Sequence, residues 1–244
     1  MLNFARALAP TSLPAYAMWR LRGCEGETNL TFKAGGRARM QRSDYGPAFE
    51  VFVDRFYDSP RAIAPNSVQY IVDLGANVGM SILFWLHNYP KAHIEAFEPH
   101  PTHVARLRTN LALNEAEGRV TLHPTAAGVR PGRMALTDEG MSSSVVALDA
   151  VRNAIPVDVE DAYETLLARE IDILKIDIEG GEFPILEDAR FPQIAARALA
   201  MEWHRREDGR DGDRCTAILS AAGYEVVPLF DLTDHGMVWA YKWP

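Results

Sequence analysis

Four residues in the second half of the chain have the types and spacing for proton transfer. Asp177 and Glu179 lie two apart in LKIDIEGG, and Glu202 and His204 lie two apart in AMEWH. A spacing of two puts both side chains of a pair on one face of an extended strand. If the two segments are neighbouring strands, the four groups converge. Such a cluster could take the proton of a hydroxyl as its oxygen attacks an electrophile. An aliphatic hydroxyl is a weak acid, and a positioned base contributes roughly 10²–10⁴-fold. His204 is the leading base, because an ordinary imidazole titrates near neutrality. Glu202 or Glu179 would orient it, and Asp177 would contact the substrate hydroxyl or the amino group of a cofactor. Two other arrangements use the same residues. Lys175 lies two before Asp177, so the acids could form a buried ion-pair network. Oxygen ligands with one imidazole would also suit magnesium or manganese, an alternative that is not favoured.

A second constellation is VDLGANVG, Val72 to Gly79, where an apolar strand ends on an acid and breaks into a glycine-framed turn. The three-glycine dinucleotide fingerprint, laid on Gly75, falls on Gly75, Asn77 and Met80, so two of its supports are missing. Asp73 would also repel a pyrophosphate. It suits a cation, and S-adenosylmethionine carries a sulfonium and an α-ammonium but no phosphate. Asp73 is expected to receive the ammonium, and the helix start at Val78–Ser81 to take the carboxylate on its free N–H groups. The Ser81 hydroxyl is a further donor there, unless it serves helix packing. Glu98, 25 residues after Asp73, ends the next strand and can accept both ribose hydroxyls. Pro99 or His100 would line the adenine edge.

The elements that must position these groups are readable from Ser67 onward. VQYIVDLG, HIEAFEP and RVTLHPTAAG read as strands, and VGMSILFWLHNYP and PTHVARLRTNLALN as the helices between them. Residues 129–157 read as irregular, with GMSSS inside them, where Ser143 and Ser144 are candidate substrate contacts. DVEDAYETLLARE reads as a helix, IDILKIDIEGG as a strand, FPILEDARFP as a short helix and ALAMEWH as a strand. RCTAILSAAGYEVVPL runs from helix to strand, and GMVWAYKW closes the chain as a strand. Alternating strands and helices predict a parallel sheet covered on both faces. The last two strands are too close for a crossover, so they should pair antiparallel.

Ahead of this core, residues 1–66 read as an accessory segment, a lid or a homodimer element, and residues 67–244 as the main domain. The segment would hold a helical lead-in, a hairpin around Gly35-Gly36 and a helix in AFEVFVDRFYD ending near Ser59-Pro60. Asp44 and Tyr45 are candidates for closing over a cofactor. Trp85 and Trp203 read as core residues, and His87, His93, His103, His123 and His235 have no partner pattern.

VDLGANVGMSILFW, IEAFEPHP, NLALN, LKIDIEGGEFPIL and AMEWH, in this order, resemble the FkbM-type methyltransferases. The resemblance covers about residues 44–242. It implies an α/β, Rossmann-like class I methyltransferase fold, a seven-stranded mostly parallel sheet whose last strand is antiparallel. It implies S-adenosylmethionine-dependent methylation, mostly at oxygen, of a secondary metabolite or glycan. Asp73, Gly75, Asn77 and Gly79 match the family's cofactor loop and Glu98 its ribose acid. Ala126 or Ala127 falls at the adenine-side position, where the acid or Asn common in methyltransferases is missing. The first 40 residues are not explained by it.

Composition narrows the partners. The 25 basic and 33 acidic residues leave a net charge of −8, which disfavours nucleic acid. Arg37, Arg39 and Arg42 read as a solvated strand face. Two cysteines outside any CxxC pair point to the reducing cytoplasm, and the N-terminal apolar runs, broken by Pro10 and Pro14, are too short for a membrane span. An oxidoreductase or epimerase would need the three glycines or a Tyr-x-x-x-Lys pair. A non-catalytic binding module would not need His204.

Overall fold

A computed structural model describes residues 2–136, 145–146 and 155–242. A seven-stranded sheet carries the molecule. Its strands are β3 (Tyr70–Leu74), β4 (His93–Phe97), β5 (Val120–His123), β10 (Ile171–Ile176), β11 (Ala196–His204), β12 (Glu225–Asp231) and β13 (His235–Tyr241). Their order is β12-β13-β11-β10-β3-β4-β5, and β13 alone runs antiparallel, paired to β11 and β12. The expected class I methyltransferase architecture is therefore present, closing hairpin included.

Tyr70–Leu74 is buried at every position, as a strand covered on both faces must be. Its side chains alternate between two cores. Ile71 joins the cluster under helices α4 (Met80–Asn88) and α5 (Pro101–Leu113), while Val72 and Leu74 join the one under α7 (Glu182–Glu187) and α8 (Gly212–Ala221). α4 is apolar on most sides and is correspondingly buried from Met80 through Leu86. Trp85 and Trp203 are core residues, at 0% and 1% exposure. The chain leaves β3 first toward β4 and later returns beside it as β10. That reversal opens a crevice at the strands' carboxyl ends, where ligands bind in open α/β sheets.

Three expectations change between β5 and β10. RVTLHPTAAG is not one strand: the chain leaves the main sheet at Pro124, which has no N–H to give a ladder, and Ala126–Gly128 (β6) enters a second sheet. That sheet, ordered β6-β9-β7-β8, also holds Gly132–Leu136 (β7), Val145–Val146 (β8) and Ile155–Asp161 (β9), so the described part of the stretch read as irregular is largely extended. The helix expected in DVEDAYETLLARE shrinks to Tyr163–Leu166 (α6). Ile155, Val157 and Val159 alternate with Pro156, Asp158 and Glu160, a period-two pattern that the strand uses. Ser143 and Ser144 lie outside the described residues.

Before the sheet come helices α1 (Leu2–Ala7) and α2 (Leu13–Leu21) and a hairpin of β1 (Thr28–Phe32) and β2 (Gly36–Met40). Their buried side chains share the core under α4 and α5. AFEVFVDRFYD does not form a helix that runs to Ser59-Pro60. A short α3 (Tyr45–Phe49) gives way to a π turn over Glu50–Asp54, which Arg55 ends in the left-handed region at φ 59°. Such turns recur at functional sites. Among the described residues, no helix is long and apolar enough to cross a membrane.

Candidate active site

The loop after β3 is shaped by close approach to the end of β10. Gly75 has φ +91°, and a Cβ there would lie 1.7 Å from the Asp177 carbonyl oxygen, so no other residue fits. The loop amides are largely consumed in holding it. Gly75 and Ala76 both donate to the Phe97 carbonyl, Asn77 donates to the Glu98 carboxylate at 2.8 Å, and Val78 to the Asn77 side chain at 2.7 Å. What remains is the start of α4. Its N-cap, Gly79, also at φ +91°, offers no side-chain cap, and Met80 and Ser81 border the crevice.

Asp73 departs from its expected place. Its side chain is fully buried and borders neither cavity. On the neighbouring strand at the same register sits Lys175, whose Nζ lies 3.1 Å from Asp73 and 3.4 Å from Asp177 and donates to the Gly75 carbonyl at 2.8 Å. The Ser81 hydroxyl donates to Asp73 at 2.6 Å. Of the acids expected in an ion-pair network, Asp177 does face Lys175, while Glu179 faces His204. Asp73 lies beneath the loop, and the Ser81 hydroxyl is turned to it. Burial works against the Lys175 ammonium, but Asp73 and Asp177 carry it above the ordinary lysine range.

Two cavities open on this loop. One, of about 380 Å³, is bordered by Glu98, Pro99 and Ala127 with the apolar side chains of Phe97, Met134 and Ile178. Glu98 is 5% exposed and already accepts the amides of Asn77 and His100 at 2.8 Å each, with His103 Nδ1 at 3.4 Å. A carboxylate has about four acceptor positions, so capacity for ribose hydroxyls remains. The other cavity, of about 420 Å³, is walled by Glu50, Tyr57, Glu202, His204 and His235. Both are bordered by Gly75, Asn77, Asp177 and Glu179, so these four mark where they meet.

The four expected proton-transfer residues do converge, though not all by strand parity. β10 and β11 are parallel neighbours, and Glu202 and His204 share a face of β11. β10 ends at Ile176, however, and Glu179 sits in a turn with φ 50°. That turn swings its carboxylate to 3.4 Å from His204 Nε2, and Glu202 lies 3.9 Å from the same nitrogen. The other ring nitrogen faces Glu182, fully buried, at 3.0 Å. Among the described residues, no group of three or more His, Cys, Asp and Glu side chains is arranged to hold a metal ion.

Burial works against a charged His204 ring, yet the hydrogen bond and charge of Glu182, with Glu179 and Glu202, raise its titration to about 9. The expectation of an ordinary imidazole is corrected accordingly. Burial, then the charge of Asp177, pushes Glu202 up to about 9 and Glu179 up to about 7. Tyr57, buried beside Asp177 with its hydroxyl 3.4 Å from that carboxylate, is held well above the ordinary phenol range.

Sequence reasoning missed Glu50, Tyr57, Glu182 and His235. Glu182 follows the double glycine of the quoted motif, a signal that was available; His235 needed the β11–β13 register, which sets it opposite His204. Asp44 and Tyr45 do not close over the crevice. Asp44, fully buried, pairs with Arg106 and accepts the Gln41 amide, and the Tyr45 ring stacks on Phe4 at 4.4 Å.

Residues 73–226 match the family model described as the methyltransferase FkbM domain. The chain belongs to the FkbM methyltransferase family. The match spans the loop, both carboxyl-end clusters and α8. This methyltransferase is 31% identical over 235 residues to the 31-O-demethyl-FK506 methyltransferase FkbM of Streptomyces tacrolimicus, covering 79% of this chain and 88% of that one. It is 30% identical over 230 residues to methyltransferase sdnD of Sordaria araneosa, covering 78% and 83%. Among solved structures, methyltransferase FkbM from Methylobacillus flagellatus KT superposes over 99% of this chain at a TM-score of 0.56 and 18% identity. This methyltransferase spans 57% of that chain. The Methanococcus jannaschii fibrillarin superposes at a TM-score of 0.50 and 13% identity, covering 89% and 83%, a likeness of fold alone.

Proposed function

We propose that this methyltransferase moves a methyl group from S-adenosylmethionine to a hydroxyl of a small secondary metabolite or sugar, with His204 as the general base. The observation that carries the reading is the junction of the two cavities at Gly75, Asn77, Asp177 and Glu179, with His204 Nε2 3.4 Å from Glu179 on the acceptor side.

When bound, S-adenosylmethionine supplies the methyl group and departs as a neutral thioether. The chain's residues fit it in order along the crevice. Phe97, Pro99, Ala127 and Ile178 offer an apolar slot for adenine, and Glu98 accepts from the ribose. Asp177, on the junction, is the carboxylate placed for the ammonium, the role first expected of Asp73. The uncapped start of α4 suits the carboxylate. The acceptor enters between the π turn and β13, where Glu50, Tyr57, Glu202 and His235 bind and orient it. Orientation alone supplies several kcal/mol of the barrier, an estimate of about 7 or more for well-aligned groups. His204 Nε2 takes the hydroxyl proton as the oxygen–carbon bond forms. The high proton affinity of the ring falls when a cation occupies the junction, because like charges disfavour the imidazolium.

Methylation at oxygen is supported by the name of the Streptomyces relative, which acts on a 31-O-demethyl substrate. The two cysteines are both free and buried, in keeping with a cytoplasmic enzyme. Calorimetric titration of the full chain with S-adenosylmethionine tests the cofactor half, and absence of binding would end the reading. Mass spectrometry of products from a panel of hydroxylated and amino acceptors tests the other half; a gain of one methyl on nitrogen alone would replace oxygen by nitrogen.

A further inference from the structure

The carboxylate that meets His204 most directly lies outside both strand-face pairs. Glu182 opens α7, is fully buried, and gathers three groups on its Oε1. These are the Gly180 amide at 2.9 Å, the Ile178 amide at 3.3 Å and His204 Nδ1 at 3.0 Å. Its Oε2 is buried with no hydrogen-bond partner. Backbone amides only donate, so Oε1 is an acceptor toward the turn, and a carboxylate in that state accepts from the ring as well. A proton on Nδ1 would complete that set of donors. A neutral ring protonated at Nδ1 carries its lone pair on Nε2, the nitrogen directed toward Glu179 and Glu202 at the cavity wall.

We propose that Glu182 is a positioning residue for methyl transfer: by accepting the Nδ1–H of His204 from inside the protein it fixes the tautomer that turns Nε2 to the acceptor, and it ties that ring to the turn bordering the cofactor cavity. The role rests on the reading of His204 as the base. The turn it holds contains Glu179 and Gly180, and Gly180 has φ +97°. One buried oxygen thus sets both the base and the wall where the cavities meet. The proton taken from the acceptor goes to Nε2, and the resulting imidazolium stays against the Glu182 carboxylate.

Other charged groups face the ring. Glu179 approaches from the turn after β10, Glu202 from β11 itself, and the His235 ring from β13 with centroids 6.2 Å apart; Glu50 and Asp177 lie across the cleft. Glu179 and Glu202 keep part of their surface in solvent, which screens them. Glu182 has none, and it alone makes a hydrogen bond to the ring within 3.0 Å.

The test is nuclear magnetic resonance of the full chain labelled with ¹⁵N-histidine, with His204→Gln identifying the resonance. Above the ring's midpoint, wild-type His204 is expected with the proton on Nδ1; the Nε2–H tautomer would overturn the proposal. This measurement needs no variant at Glu182 and no cofactor. Glu182→Gln preserves shape and removes the charge, and it should lower the midpoint by about one to two pH units. A midpoint unmoved in the folded variant also overturns it. Wild-type protein that fails to bind S-adenosylmethionine overturns instead the reading on which the role rests, and the cofactor-free tautomer keeps the two failures distinct.

Discussion

Lys175 and Asp73 form a cross-strand ion pair at 3.1 Å directly beneath the glycine loop after β3, with side-chain exposures of 2% and 0%. Removing one partner of such a pair strands the other charge away from water. Asp73→Asn and Lys175→Met should each cost roughly 3–5 kcal/mol, whereas the double variant should lose much less than the sum. Urea unfolding of the four proteins decides it. Additive losses would show that the pair does not act as a unit. A weakened cofactor affinity in Asp73→Asn is expected too, but through the Lys175 bond to the Gly75 carbonyl rather than through direct contact.

Gly75→Ala makes a sharper separation between loop and fold. The added methyl would lie 1.7 Å from the Asp177 carbonyl oxygen, at a backbone angle of +91° that alanine disfavours. Either β3 and β10 separate at their ends or the loop lifts into the cofactor cavity. Calorimetry should find binding of S-adenosylmethionine at least ~100-fold weaker, equivalent to about 2.7 kcal/mol or more. Binding within about threefold of wild type would mean that the loop is not the seat.

The cluster around His204 predicts how stability follows pH. His204, Glu202 and Glu179 are all raised in the folded state, so the folded chain holds protons that the unfolded chain releases. Their contribution is complete below the unfolded values and is lost as pH climbs through about 7 for Glu179 and about 9 for Glu202 and His204. Glu202→Gln removes one acid that must ionise against Asp177. Relative to wild type, the variant should gain as pH rises from neutrality to about 9 and level off above it, by about 2–4 °C in melting temperature for each kcal/mol relieved. A constant difference between the two melting curves across that range would contradict the assignment.

How far the sequence carried depended on the distance over which each feature is decided. The glycine turn after Asp73 and the Glu202–His204 pair are local: register and strand parity are written in adjacent letters. The partner of Asp73 is Lys175, 102 positions later, and only the β3–β10 pairing brings them together, so the burial of this acid could not be read from its neighbours in sequence. Glu179 reaches His204 through a left-handed turn that no pleat rule anticipates. Glu50 and Tyr57 come from a π turn and its sequel in the N-terminal segment, where the apolar spacing resembled a simple helix. β9 straddles a boundary: Val157 closes the stretch read as irregular and Val159 opens the one read as a helix, so its period-two run was divided between them.

The same N-terminal segment is fastened by two asparagines of the NLALN motif, and they give the last prediction. Asn110, 1% exposed, donates its amide to the Val78 carbonyl at 2.8 Å and accepts the Arg39 amide of β2 at 2.8 Å. Asn114 repeats the pattern one turn later, accepting the Arg37 amide at 2.9 Å and donating to the Arg37 carbonyl at 2.7 Å. The edge of β2 is thus paired to these two side chains, and Asn110 ties that edge to the glycine loop after β3. Asn110→Ala would leave the Val78 carbonyl and the Arg39 amide without these partners, at about 1–3 kcal/mol for each buried group left unsatisfied. Asn114→Ala, nearer solvent, should cost less. Hydrogen exchange should locate the loss: faster exchange at Arg39 in Asn110→Ala, with the β10 and β11 amides unchanged. Uniform acceleration across the sheet would instead mean that the asparagine supports the whole core and fastens no separate segment.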